Sequence, residues 1–234
     1  MACAGYGRRA GRDPETKGAA DVSDIRFGTK WARADYGLIV APYAIPMPEP
    51  QTNFVEIPGR DGSLDLSEAF GTVRYADRII PLTLYARAPF DALISALAAD
   101  LHGRRMNVIF DRDPTYYYDA RITLEDVERH AGYCELSLEC RAKPYKLEHF
   151  ETTITVLPAG SATVTLTNAR MPVVPAISVS AGMTLTFVIA GVVYTINLSA
   201  GSHVVPSLVL MEGDTEIEIT GTGSITFAYR KGAL

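Results

Sequence analysis

Beyond residue 150 the chain is written as short alternating runs, and no other feature restricts its fold as tightly. Segments 152–156, 163–167, 177–180, 184–189, 192–198, 204–210, 216–219 and 224–229 place apolar residues at every second position, with threonine at many of the others. A period of two sends alternate side chains to opposite faces, so each run fits a half-buried strand. About eight such runs at roughly ten-residue spacing predict an antiparallel sandwich. Pro158-Ala159-Gly160, Ala181-Gly182, Ala190-Gly191, Ala200-Gly201, Glu212-Gly213-Asp214 and Gly221-Thr222-Gly223 supply the turns. No helical stripe interrupts them.

Residues 25–150 have a different texture. Runs at 25–27, 37–40, 53–57 and 78–85 are strand-like and divided by Pro, Gly and Asp, and strands resume at 106–111, 116–124 and 133–142. Between them Phe90, Leu93, Ile94, Leu97, Ala98 and Leu101 recur at helical spacing, with Gly103 where a left-handed cap belongs and Arg104-Arg105 beyond the negative end. The fold expected is mainly β: an N-terminal β-sandwich with one packed α-helix, then a C-terminal antiparallel β-sandwich.

At 234 residues, 47% hydrophobic and 21% charged, the composition is that of an ordinary globular protein, and two domains suit the length. The expected division is a disordered extension over 1–24, a first domain over 25–150 and a second over 151–234. Residues 1–24 are rich in Gly, Ala, Arg and Asp, have little to bury and lack the apolar core of a signal peptide. No apolar run approaches the roughly 18 residues of a membrane helix, so a soluble chain is expected. The net charge of −5 divides as zero, −3 and −2 over the three segments, and no basic run offers a grip on phosphates. DNA binding is not expected. Cys134 and Cys140 lie six residues apart on one strand, roughly 20 Å at about 3.3 Å per residue, beyond the ~7 Å reach of a disulfide. Free thiols, with Cys3 in the extension, fit assembly in a reducing cytoplasm.

The segment Glu56-Ile57-Pro58-Gly59-Arg60-Asp61-Gly62-Ser63-Leu64-Asp65-Leu66-Ser67-Glu68-Ala69-Phe70-Gly71 joins a strand, two turn dipeptides and a polar loop. Upstream stand Tyr36-Gly37-Leu38-Ile39-Val40 and Ile45-Pro46-Met47-Pro48-Glu49-Pro50. Downstream come Tyr75, Asp77-Arg78-Ile79-Ile80-Pro81, Asp111-Arg112-Asp113-Pro114, Tyr116-Tyr117-Tyr118 and Lys143-Pro144-Tyr145-Lys146. In this order the segments resemble the distal tail protein (Dit) of long-tailed bacteriophages, over residues 23 to 150; beyond that the match is one of architecture.

The resemblance implies a tail-tube-like first domain that forms hexameric rings and a galectin-like C-terminal sandwich. The role implied is a structural virion protein, the hub of the tail tip or baseplate, joining the tail tube to the tip and receptor-binding apparatus. Its implied partners are itself as a homohexamer, the major tail protein, the tape-measure protein, a tail-associated tip protein and a receptor-binding protein, with DNA passing through the channel unbound. The virion tail tip is the implied location, after assembly in the bacterial cytoplasm. Arg60, Asp61, Asp65 and Glu68 are the candidate intersubunit residues, since charge in a structured loop can pair across a ring contact; the plain alternative is a solvated turn.

No catalytic, cofactor or metal site is expected. Asp111, Asp113, Asp119, Glu125 and Asp126 lack the spacing of a calcium loop, and Asp113-Pro114 reads as a turn between strands. His102, His130, His149 and His203 are scattered, and no G-x-S-x-G string or phosphate loop occurs. A carbohydrate-binding module is the alternative function, resting on the sandwich and on Tyr116, Tyr117 and Tyr118 as partner or glycan contacts. A cell-wall hydrolase using Asp111 or Asp113 is the remaining rival.

Overall fold

The structure is a computed structural model that describes residues 23–69 and 71–234. The expected extension falls almost wholly outside the described residues, as do Cys3 and Phe70.

In chain order the N-terminal half contains β1 (Ile25–Phe27), β2 (Lys30–Trp31), β3 (Ile39–Val40), β4 (Pro50–Gln51), β5 (Phe54–Glu56), β6 (Ser63–Asp65), β7 (Arg74–Tyr75), β8 (Arg78–Arg87), α1 (Asp91–Leu101), β9 (Arg105–Phe110), β10 (Tyr116–Arg129), β11 (Tyr133–Ala142) and β12 (Lys146–Glu148). A large antiparallel sheet runs β2-β1-β9-β10-β11-β8-β3, with β12 paired to the start of β10. Alternation sets its register. Along β11, Cys134, Leu136, Leu138, Cys140 and Ala142 face inward and lie opposite Ala86, Leu84, Leu82, Ile80 and Arg78 of β8. A one-residue slip of β11 would turn its five inward residues to solvent.

Helix α1 covers this core through Leu97 and Leu101, with Phe90, Leu93 and Ile94 packed beside them. Each buried leucine contributes ~1.5–3 kcal/mol. Gly103 follows at φ 73°. The helix's carbonyl end is met from a distance, by Arg121 Nη1 donating to Gly103 O, whereas Arg105 has entered β9. Two ribbons, β4 with β7 and β5 with β6, belong to neither large sheet nor core.

The C-terminal half contains β13 (Thr152–Val156), β14 (Ala159–Asn168), β15 (Ala176–Val179), β16 (Met183–Ile189), β17 (Val192–Leu198), β18 (Gly201–Val204), β19 (Gly213–Thr222), β20 (Ile225–Tyr229) and β21 (Gly232–Ala233). Sheets β13-β20-β15-β18 and β14-β19-β16-β17 form the sandwich. Its core includes Leu166, Ile177, Leu185, Phe187, Ile217, Ile219 and Phe227. Threonines line the outer faces, where Thr155 meets Thr226 at 2.9 Å and Thr184 donates to Asn197 at 2.8 Å. The expected run at 204–210 is corrected: the strand ends at Val204. Pro206 has no N–H to give a ladder, and the chain turns there, with Leu208 N–H donating to Val205 O. Val205, Leu208 and Leu210 are buried all the same.

The last residues return to the first half. Strand β21 pairs with β12, with Lys146 opposite Ala233 and Leu147 opposite Gly232. Arg230 Nη1 donates to Glu148 O at 2.6 Å and to His149 O at 2.7 Å. Gly232 is packed so closely that a Cβ there would stand 2.8 Å from Met171 Cβ.

Candidate functional site

The segment singled out in the sequence folds as a hairpin. Phe54 lies opposite Asp65, Val55 opposite Leu64 and Glu56 opposite Ser63. The connecting loop, 57–62, needs left-handed backbone at Gly59 (φ 82°) and Gly62 (φ 75°), which glycine adopts without a Cβ clash. Asp65 accepts from both the hydroxyl and the backbone N–H of Ser67, and the hydroxyl bond is the larger cause of a carboxyl pKa below the usual range. Ser67 Oγ in turn accepts from Asn53 N–H. The ribbon's shape is thus fixed by its own turns.

What the ribbon lacks is cover. Phe54 is 57% exposed, and Val55 and Ile57 are also exposed. Arg60 and Asp61 sit at the tip. Glu68 does not join them. It lies in the following turn, at the lip of a crevice shared with Tyr145, Arg170 and Glu212. Among the described residues, none of Glu56, Arg60, Asp61 and Glu68 has an ion-pair partner.

The tyrosine triplet is used within the chain. Tyr118 is buried, packed edge-on to Phe110 and under the guanidinium of Arg78, 5.3 Å from its ring centre. Tyr116 carries Lys146 at 4.5 Å and Tyr117 carries Arg230 at 5.6 Å. Such pairs contribute about 0.5–2 kcal/mol each. Three rings, each with a cation over it, make a joint between β10, β12 and the returning C-terminus. In the sandwich Phe187, Phe227 and Tyr229 are buried, and the half-buried Tyr194 stacks on Phe187.

The aspartates are held apart by separate partners. Asp111 accepts from Asp24 N–H and from Tyr43 OH. Asp113 accepts from Lys146 and Thr115, and its backbone turns the chain between β9 and β10 as the Asp-Pro pair suggested. Asp119 accepts from Arg105, which holds its carboxyl below the usual range, and faces Lys143 at 3.6 Å. Glu125 is the extra residue of a bulge where the β10–β11 register shifts between Leu124 and Asp126. Among the described residues no group of three or more His, Cys, Asp or Glu could hold a metal ion. Both strand cysteines are buried, and burial pushes the Cys140 thiol up to about 12.

The structure adds residues that no local pattern marks. Arg78, 3% exposed, donates to Pro144 O at 2.8 Å; the Lys143-Pro144-Tyr145-Lys146 segment therefore has a partner 66 positions away. Arg170 joins Glu212 at 2.8 Å and reaches the Tyr75 hydroxyl at 3.4 Å. A crevice of about 590 Å³ lies beside it, lined by Gln51, Tyr75, Lys143, Tyr145, Leu147 and Met171 among others. Arg74 and Lys143 both line it, and among the described residues no carboxylate does.

No protein-family model matches the chain, and no curated protein matches it in sequence. A solved structure does. The crystal structure of the SPP1 Dit (gp 19.1) protein, described as a paradigm of hub adsorption apparatus in phages infecting Gram-positive bacteria, aligns with a TM-score of 0.66. The alignment covers 92% of this chain and 100% of that one, at 16% sequence identity. This chain has a Dit-like fold, built from several antiparallel sheets and a single described helix.

Proposed function

We propose that this chain is a structural protein of a phage tail, the hub of its tail tip or baseplate. Six copies form a ring that joins the tail tube to the tip and receptor-binding apparatus, through which DNA passes without specific binding. Its neighbours are the major tail protein, the tape-measure protein, a tail-associated tip protein and a receptor-binding protein. The chain is assembled in the host cytoplasm and resides in the virion.

The observation that carries this reading is the fold likeness over the full length of SPP1 Dit, a hub adsorption protein. The exposed β5–β6 ribbon supports it independently. A two-stranded hairpin is marginally stable alone in water, and one that exposes Phe54, Val55 and Ile57 gains from a neighbouring chain. In a ring that contact is heterologous, one patch meeting a different patch. Arg60, Asp61 and Asp65 take part in it, and Glu68 is placed for the seam with the sandwich.

Light scattering after size-exclusion chromatography, with negative-stain images of the peak, tests the proposal. Six-fold rings with the mass of six 25.4-kDa chains are expected. A chain that stays monomeric and is missing from purified virions sinks it.

A further inference from the structure

Three arginines stand in one row across the outer face of the large sheet. Arg105 of β9 is the register partner of Arg121 of β10, and Arg121 is the partner of Arg141 of β11. The row continues onto Ile79 of β8, which is 45% exposed, with the exposed Pro81 two residues on. Like charges directly opposite each other on neighbouring strands repel. Local carboxylates answer this only in part. Asp119 serves both Arg105 and Lys143, and Glu139 lies 3.8 Å from Arg141. Arg121 is exposed, bonds Gly103 O, and meets no carboxylate among the described residues. Four cations thus face two carboxylates.

The opposite pattern stands on the β5–β6 ribbon. Residues directly opposite in an antiparallel pair share a face, so Phe54, Glu56, Ser63 and Asp65 lie together, with Val55 and Leu64 behind. That face carries two carboxylates and an exposed aromatic ring. The arginine row carries unpaired positive charge that ends in exposed Ile79 and Pro81. The two surfaces match in sign and in the placing of an apolar end beside the charges.

We infer that the Phe54, Glu56 and Asp65 face of one copy docks on the Arg105, Arg121 and Arg141 row of the next copy, with Phe54 against Ile79 and Pro81. This rests on the ring reading above and names the receiving surface for its hairpin. Both surfaces occur once on every copy and differ from each other, as a ring contact requires.

Charge reversal tests it on the full chain, with assembly mass read by sedimentation across a concentration series and folding checked by circular dichroism. Arg121→Glu with Arg141→Glu raises the concentration at half-assembly at least about tenfold, since like-charge juxtaposition opposes association. Glu56→Arg does the same without touching the Asp65–Ser67 turn. Combining Glu56→Arg with Arg121→Glu restores assembly toward the starting value, and added salt weakens the unaltered contact. If the unaltered chain forms rings that the reversals leave intact, the docking surface is wrong while the ring reading stands. Rings with unchanged mass that lose retention of DNA on reversal assign the arginine row to nucleic acid and overturn the inference. An unaltered chain that never assembles and is missing from purified virions overturns both.

Discussion

The two halves of the molecule complete their folds to different degrees. In the C-terminal half all eight strands of β13–β20 are hydrogen bonded into one of two sheets that enclose a shared core. In the N-terminal half a large sheet and a helix enclose the other core, yet β4–β7 and β5–β6 stand outside it as separate ribbons. Apolar residues exposed in the sandwich, such as Val188 and Val193, sit on strands already anchored by their neighbours. Those exposed in the ribbon, such as Phe54, have no second layer beneath them. The contrast separates a sandwich whose strands all share one core within the chain from a ribbon whose apolar residues stay exposed, which is why the proposed ring contact is placed there.

The largest test separates the two cores. Leu97→Asp places an unpaired carboxylate where Leu97 is 2% exposed, a change that costs more than about 4 kcal/mol. Soluble, folded N-terminal structure should be lost, while Glu125→Ala, at the bulge, is tolerated. Trp31, the sole tryptophan, is half-buried on β2 and reports on the first half. Its fluorescence in Leu97→Asp should be that of an exposed indole, with hydrogen-exchange protection retained in β14, β16 and β19. Loss of protection in those strands as well would show that the cores unfold as one unit and would dissolve the comparison.

A smaller effect is expected where the halves meet. Arg230→Ala removes two hydrogen bonds to the carbonyls of Glu148 and His149 and the cation over Tyr117. Charge-assisted bonds of this kind contribute roughly 1.5–3 kcal/mol. Denaturant unfolding should show that loss, with faster exchange in β12 and β21 than in either core. Equal acceleration in both cores would mean that the joint is part of them and not a separate clasp.

How far the sequence revealed this depends on the range over which each signal acts. The helix was legible because Leu93, Leu97 and Leu101 repeat within one element, and seven of eight sandwich runs because threonine and apolar residues alternate locally. Pro206 carried the signal that strand β18 ends early, but the valines and leucines around it hid the turn. The turns of the ribbon were legible from Pro58-Gly59 and Asp61-Gly62, but its second strand, Ser63–Asp65, was read as polar loop because three residues are too few to show a period. The joint was not legible: Tyr116, Tyr117 and Tyr118 read as partner or glycan contacts because Arg78, Lys146 and Arg230 come from distant parts of the chain. Likewise no basic run exists, since Arg105, Arg121 and Arg141 become neighbours only through β pairing.

Acid should act on the first half before the second. Hydrogen bonds from Lys30 and Arg105 hold the carboxyls of Asp100 and Asp119 below the ordinary aspartate value of about 3.9. A depressed folded pKa gives stability that is present above the unfolded value and is lost as pH falls through the folded one. The Trp31 transition should therefore hold steady from neutral pH to about pH 4 and drop below it. Both groups are partly solvated, which keeps the effect modest. Asp119→Asn should flatten the drop. A Trp31 midpoint that rises on acidification would reverse the sign and remove these pairs from the account.

The smallest effect lies in the turns, and it sharpens the contrast between ribbon and sandwich. In the ribbon both left-handed loop positions are glycine, Gly59 and Gly62, so that turn carries no side-chain penalty. The sandwich turn between β16 and β17 uses Ala190 at φ 50° followed by Gly191 at φ 79°. An L-residue with a Cβ pays about 1 kcal/mol in that region, and asparagine is several-fold better represented there. A two-residue hairpin turn with both φ values positive favours Asn-Gly. Ala190→Asn should then stabilise the sandwich by ~0.5–1 kcal/mol and leave the Trp31 transition unmoved. The sandwich can carry this strain because Phe187 and Leu185 anchor β16 in the core next to it. The ribbon has no core beneath it to offset a similar penalty, so Gly62→Ala should loosen 54–65 by more than Ala190→Asn tightens its turn. Exchange rates that rank the two substitutions the other way would show the ribbon to be anchored within its own chain.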